Sequence, residues 1–211
     1  MEEALRALFR SQFNEEAASF EPIPAHASNR SLFRIQGRSR SVIGAYGPDA
    51  KENAAFLGFS KHFRAAGLPV PEIYAEDREH RVYIEEDLGD TTLFELLSAT
   101  RTEAGLSAEV ERVYERVVAE LPRFQVQAAT GLDYGLCYPR ASFDRQSMMW
   151  DLSYFKYYFL RLAKVPFNEQ ALEDDFERFA GFLLEAERDH FLYRDFQSRN
   201  VMVREIGRAH V

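Results

Sequence analysis

Asp195 and Asn200 stand five positions apart in the stretch Tyr193-Arg194-Asp195-Phe196-Gln197-Ser198-Arg199-Asn200, which the apolar run Val201-Met202-Val203 follows. A carboxylate and a neutral amide oxygen at that interval suit phosphoryl transfer. The carboxylate accepts the proton of an attacking hydroxyl, and the amide oxygen binds a magnesium ion that bridges nucleotide phosphates. Both groups need one tight loop, since a drift from in-line geometry forfeits the gain from positioning. Taken alone, the pair also suits a surface turn closed by a local Asx hydrogen bond.

Such a loop must be held by its flanks. Phe191-Leu192 ahead of it and Val201-Met202-Val203 behind it read as two short buried strands. Further back, residues 1–19 form a charged, amphipathic helix with Leu5, Leu8 and Phe9 on one side. Glu21-Pro22-Ile23-Pro24 reads as a connector, and residues 32–36 and 41–46 as a hairpin joined by Gly37-Arg38-Ser39-Arg40. Over residues 51–66, Phe56, Phe59 and Phe63 follow a helical spacing that ends at Gly67 before Leu68-Pro69. Two more short strands, 72–75 and 81–86, complete a small sheet with one helix over residues 20–86.

Beyond Leu88-Gly89-Asp90 the period becomes helical. Val110, Val113, Val117, Leu121 and Phe124 share a face, with Pro122 as a kink or break. Residues 130–140 read as a loop. Two long helices follow over 143–163 and 172–188, the second carrying Leu172, Phe176, Phe179 and Leu183 on one side.

Of the 211 residues, 46% are hydrophobic and 28% charged, enough to bury a real core. The formal charge of -8 and the absence of a Lys/Arg cluster argue against a nucleic-acid surface. Cys137 is the sole cysteine, so no internal disulfide forms, and a reducing cytoplasm fits best. No stretch reads as a signal peptide or a membrane span. The five histidines lack ligand spacing such as H-E-x-x-H, which leaves a metal-dependent hydrolase little support.

With Ile84-Glu85-Glu86-Asp87-Leu88-Gly89-Asp90-Thr91-Thr92-Leu93 in the order that precedes Asp195 and Asn200, the chain resembles the aminoglycoside phosphotransferase and choline kinase superfamily. Ser28-Asn29-Arg30-Ser31-Leu32-Phe33-Arg34, Phe143-Asp144-Arg145 and Trp150-Asp151-Leu152-Ser153-Tyr154-Phe155 look like its bacterial branch of cell-wall amino-sugar kinases, which act on N-acetylmuramate and N-acetylglucosamine. The resemblance covers about residues 20–204. It implies an α+β, protein-kinase-like, two-lobed fold. A small antiparallel-sheet lobe would span residues 20–88, after an N-terminal helix over 1–19, and a helical lobe 89–204. ATP and Mg2+ would be the cofactors, and a small molecule the partner. By the same resemblance Glu86, Asp87 and Leu88 form the adenine-binding hinge. An acidic turn ahead of a helix capped by Thr91 fits the same residues. Residues 27–31, with Ser28, Asn29 and Arg30, would turn over the phosphates, being small and polar enough for backbone amides to approach an anion.

Two departures from the family pattern stand out. Gly44, on the strand 41–45, occupies the place expected of a phosphate-pairing lysine, and none of the four lysines lies on that strand. Arg34 on the neighbouring strand could supply the charge, or be a solvated strand arginine. Glu52 is the candidate helix glutamate, though a first-turn dipole contribution explains it as well. The second departure is that no Asp follows Asn200, where a second magnesium-binding carboxylate is expected. Residues 205–211 resemble translated sequencing-library adapter, and the chain reads as C-terminally truncated with a non-native tail. That would leave apolar surface exposed around Val201 and Val203.

The sequence therefore predicts a small-molecule kinase, inactive in this form, with Asp195 as base and Asn200 as magnesium ligand. Arg194 or Arg199 would neighbour the phosphates. Asp151 would contact a sugar hydroxyl between Trp150 and Tyr154, although for each ring taken singly interhelical packing is the favoured reading. The alternative is a nucleotide- or partner-binding pseudokinase, which the missing lysine suits.

Overall fold

The computed structural model describes residues 1–24, 29–101, 105–204 and 209–210. The chain divides into two compact units, Met1–Tyr138 with Tyr193–Val211, and Pro139–Leu192.

The first unit begins with α1 (Glu2–Phe13), which Asn14 closes in the left-handed conformation at φ 53° while its N–H donates to the Arg10 carbonyl. A five-stranded antiparallel sheet follows. Its strands are β1 (Ser19–Ile23), β2 (Ser31–Gln36), β3 (Ser41–Tyr46), β4 (Ile73–Asp77) and β5 (Val82–Glu86), in the order β1-β2-β3-β5-β4. α2 (Ala50–Ala65) connects β3 to β4. The expected α+β class, with a small antiparallel sheet ahead of a helical remainder, is what the fold shows.

Strand alternation gives the sheet two covered faces. Ile35, Val42, Val82 and Ile84 point to α1, where they bury Leu5 and Phe9 completely. Leu32, Ala45, Ile73 and Tyr83 point the other way, onto Phe56 and Leu57 of α2. Asp49 caps α2, accepting from the Lys51 and Glu52 amides at 2.8 and 3.2 Å.

The segment read as a connector at residues 21–24 begins inside β1, whose register runs from Ser19 opposite Gln36 to Ile23 opposite Leu32. Pro22 is tolerated because β1 is an edge strand, where a missing donor breaks no ladder. α1 also stops short of the helix expected over residues 1–19.

α3 (Leu93–Thr100) starts at Thr92, not Thr91. The Thr92 hydroxyl accepts from the Glu95 amide at 3.1 Å, while the Glu95 carboxylate accepts from the Thr92 amide at 2.8 Å. α4 (Ala108–Pro122) runs into a π-helical turn, Arg123–Gln127, so Pro122 changes the helix rather than ending it. Phe124 in that turn is fully buried.

No strand precedes the Asp195 loop; residues 191–192 are irregular. Behind the loop, a short turn (Ser198–Asn200) leads into β6 (Met202–Val203), which pairs antiparallel with β7 (Ala209–His210). Val201 is 1% exposed, packed with Leu93, Val113 and Val117. Of the apolar surface expected to be open there, Val201 is covered and Val203 is partly buried. Residues 205–208 and 211 of the expected tail lie outside the described residues.

The second unit holds α5 (Arg145–Phe155), which continues as a π-helical turn (Lys156–Leu160), and α6 (Glu169–Leu183). Both helices are shorter than the periodicity suggests. Phe176 on the expected face of α6 is buried, whereas Phe179 is half-exposed. Lys156 is buried between two carboxylates, with Nζ 2.6 Å from both Glu169 and Glu173.

Candidate active site

The Asp195 loop is closed by its own backbone. The Gln197 amide donates to the Asp195 carbonyl at 2.9 Å, and the Asn200 amide to the Gln197 carbonyl at 2.8 Å. The Asn200 side-chain Nδ2 also donates to the Asp195 carbonyl, at 3.1 Å. That bond commits the side-chain nitrogen of Asn200, while Asp195 stands exposed to solvent.

Packing rather than a preceding strand anchors this loop. The Tyr193 ring meets Phe124 at 5.3 Å and Phe196 at 5.4 Å, both edge-on. Burial, helped by the Asp195 charge, pushes the Tyr193 phenol up to about 12. The Arg199 guanidinium lies 4.0 Å from the Phe94 ring centre, a cation–π contact that fixes the loop on α3. On the other side, the Leu93 amide donates to the Val201 carbonyl and the Val203 amide to the Thr91 carbonyl, each at 2.8 Å. The loop is thereby tied directly to the segment that follows β5.

That segment borders a cleft of about 560 Å³ lined by Arg34, Gln36, Ser41, Asp87, Leu88, Gly89, Asp90, Thr91, Val203 and Arg204. Arg34, Asp87 and Leu88 thus line one cleft. Arg34 grips Asp87 with Nε and Nη2 at 2.8 and 3.2 Å and reaches Asp90 at 2.7 Å. Burial pushes the Asp87 carboxyl up, but hydrogen bonds from Arg34, Ser41 and the Gly89 amide outweigh it and hold the group below the usual carboxylate range. Arg34 is accordingly a clamp between β2 and the hinge, not a solvated strand arginine. Glu86 is held by Arg204, and its backbone amide donates to the Glu72 carbonyl at 2.9 Å.

Gly44 does not occupy a lysine position. A Cβ there would lie 2.6 Å from Ile35 Cδ1 and 3.0 Å from Leu5 Cδ2, inside the α1 core. The β3 position that faces α2 in the core is Ala45, with no charge. Arg30, just ahead of β2, places a cation on the α2 side of the sheet. Its Nη2 is 3.1 Å from a Glu52 oxygen, and its guanidinium carbon lies 4.4 Å above the Phe56 ring. Glu52 therefore has a partner that sequence reasoning missed, because the two residues meet only in the folded sheet.

Glu85 was missed as well. It sits on the α2-facing side of β5, its Oε2 enclosed and without a hydrogen-bond partner among the described residues. Burial pushes this carboxyl up to about 7 against the opposing pull of Arg30. A carboxylate one residue ahead of the acidic hinge is hidden in the run Glu85-Glu86-Asp87, where only strand parity separates it from its neighbours.

Of the remaining expected positions, Ser28 lies outside the described residues, and Asn29 is exposed at the edge of that gap. In the second unit, Trp150 and Tyr154 are 50% and 63% exposed, so interhelical packing does not occupy them. Tyr154 stacks on Tyr158 at 4.3 Å, and Arg140 lies 5.7 Å above Trp150. Asp151 is exposed between them on α5.

The residues present fit magnesium only as an ion shared with phosphates. Among the described residues no three His, Cys, Asp or Glu side chains gather to hold a metal. Asp195 and Asn200 offer few protein ligands, the kind of site in which phosphate and water complete the octahedron.

The sequence matches the APH phosphotransferase enzyme family over residues 19–211. The chain belongs to that family. It is similar to the N-acetylmuramate/N-acetylglucosamine kinase of Pseudomonas aeruginosa, 26% identical over 212 residues that cover 97% of this chain and 58% of the relative. The kinase of the same name from Pseudomonas putida is 26% identical over 209 residues, 96% of this chain and 57% of that protein. The chain thus spans less than two thirds of the length of these curated relatives. No helix among the described residues is long and apolar enough to cross a membrane.

Proposed function

We propose that this chain serves the ATP-dependent transfer of a phosphoryl group to a small-molecule hydroxyl, and that the acceptor is an amino sugar. The observation that carries this reading is the Asp195 loop, where the Asn200 side chain folds back on the Asp195 carbonyl at 3.1 Å. Asp195 accepts the acceptor's proton, and the side-chain oxygen of Asn200 would be a ligand for magnesium. The metal, when bound, neutralises charge on the transferring phosphate. The hinge of Glu86, Asp87 and Leu88 receives the adenine, and the clamp of Arg34 on Asp87 keeps that hinge from opening. Asp151, flanked by the exposed rings of Trp150 and Tyr154, offers a carboxylate and two apolar faces to a pyranose. One carboxylate with aromatic walls suits a neutral or anionic sugar better than a polycation, and the similar Pseudomonas kinases are named for such sugars.

The described residues supply few protein ligands for the metal. The 211-residue chain by itself is therefore expected to bind magnesium-ATP weakly and to transfer no phosphate. The uncharged Ala45 favours one competing reading, a nucleotide-binding pseudokinase.

Incubating the full-length gene product with ATP and N-acetylmuramate, N-acetylglucosamine, choline or kanamycin decides between these. Phosphorylated amino sugar is the expected product, and Asp195→Asn should lower kcat by on the order of 100-fold or more with little change in nucleotide affinity. Transfer to choline or kanamycin alone overturns the sugar assignment. Nucleotide binding with no transfer to any acceptor selects the pseudokinase.

A further inference from the structure

We propose that Arg30 is the phosphate-binding cation of this site, delivered from the turn ahead of β2 and held in place by Glu52 of α2. The inference rests on the nucleotide reading above and assigns a role that β3 leaves vacant.

Among the described residues, Arg34, Lys61 and Arg64 are engaged elsewhere. Arg34 serves Asp87, Asp90 and the Gly89 carbonyl. Lys61 is paired with Glu76 at 2.9 Å. Arg64 serves the Val70 carbonyl and Glu72. Arg30 differs in its support. Glu52 binds one edge of its guanidinium, and the Phe56 ring lies against its face. Its Nε is enclosed, yet 18% of the side chain remains exposed, so the group is rigid without being sealed off. A planar guanidinium can hold a carboxylate along one edge and present its other N–H groups to a phosphate, which a single ammonium does less well.

Strand geometry places this cation at a suitable distance. Arg30, one residue ahead of β2, and Arg34, in its middle, are four residues apart, about 13 Å at the rise of an extended strand. Arg34 marks the hinge through Asp87, so Arg30 marks the opposite end of the same sheet face. A triphosphate whose base lies at the hinge extends toward that end. Glu52 acts as a positioning residue, since it touches the guanidinium and not the nucleotide. Its attachment to the first turn of α2 makes the cation's placement depend on that helix.

Calorimetric titration of the full-length protein with ATP and, separately, with adenosine tests the assignment. Arg30→Met should weaken ATP about ten- to a hundredfold, the loss of one or two charge-assisted hydrogen bonds, while adenosine binds as before. Arg30→Lys should recover most of the ATP affinity, and Glu52→Gln should weaken ATP by less than Arg30→Met. Unchanged ATP affinity in Arg30→Met overturns the proposal. So does a parallel loss of ATP and adenosine in both Arg30 variants, which marks a purely structural arginine. If the unaltered protein binds neither ligand, the nucleotide reading itself fails, a result distinct from either of those.

Discussion

At the scale of single residues, Glu85 carries a cost that pH should reveal. Its carboxyl is pushed from an ordinary value of 4.5 up to about 7, chiefly by burial. The folded chain therefore holds a proton between those values that the unfolded chain has lost. Stability tied to this group falls as pH rises through that window and is lowest above it. Glu85→Gln stays neutral throughout, so the variant should match the parent near pH 4.5. It should exceed the parent at pH 8 by on the order of 1–3 kcal/mol. Urea unfolding of both proteins at the two pH values reads the difference directly. A gain equal at both would show that Glu85 is not protonated on folding. Arg30 bears on the same balance, because its charge is what keeps the carboxyl from rising further.

Among the elements, α3 links the hinge to the loop, and its first turn is the place to test that link. Thr92 caps the helix with Glu95, and its backbone forms a bridge to Met202 beside the loop. Thr92→Ala removes the cap and leaves the bridge, so it should cost about 1 kcal/mol in urea unfolding with an unchanged slope. No loss of stability would mean that the packing of Leu93 and Val201 alone sets the position of α3. Local pattern made some of this legible in the sequence: the Asp195 and Asn200 spacing, the phenylalanine face of α2, and the acidic run at the hinge. Features set by pairing were not legible. Pro22 disguised β1, since an edge strand tolerates the residue that argues against a central one. Phe191 and Leu192 read as a strand because two apolar residues fit either state. Gly44 and Ala45 cannot be told apart until it is known which face α1 covers. The meeting of Arg30 with Glu52 depends on β2 and α2 packing on one another, which no local spacing records.

For the whole molecule, the two units differ in how much apolar surface each buries, and their stabilities should differ accordingly. Met1–Tyr138 with Tyr193–Val211 contains nearly all of the buried hydrophobic residues, around the two faces of the sheet and beneath α3 and α4. Within Pro139–Leu192 the described core consists of Met148, Phe176 and Ala180, while Leu162 and Phe182 are 72% and 67% exposed. A small core leaves the ion pairs of Lys156 with Glu169 and Glu173 a larger share of the work of holding α5 to α6. Few buried contacts and many solvent-facing backbone bonds predict local opening well below the free energy of global unfolding. Amide hydrogen exchange should therefore show α5 and α6 exchanging first, and β2, β3 and β5 last. One molar salt should quicken exchange in α6 more than in the sheet, since partly exposed ion pairs are screened. Equal protection across both units, unaffected by salt, would show that Pro139–Leu192 is held to the stability of the rest by contacts other than its own core.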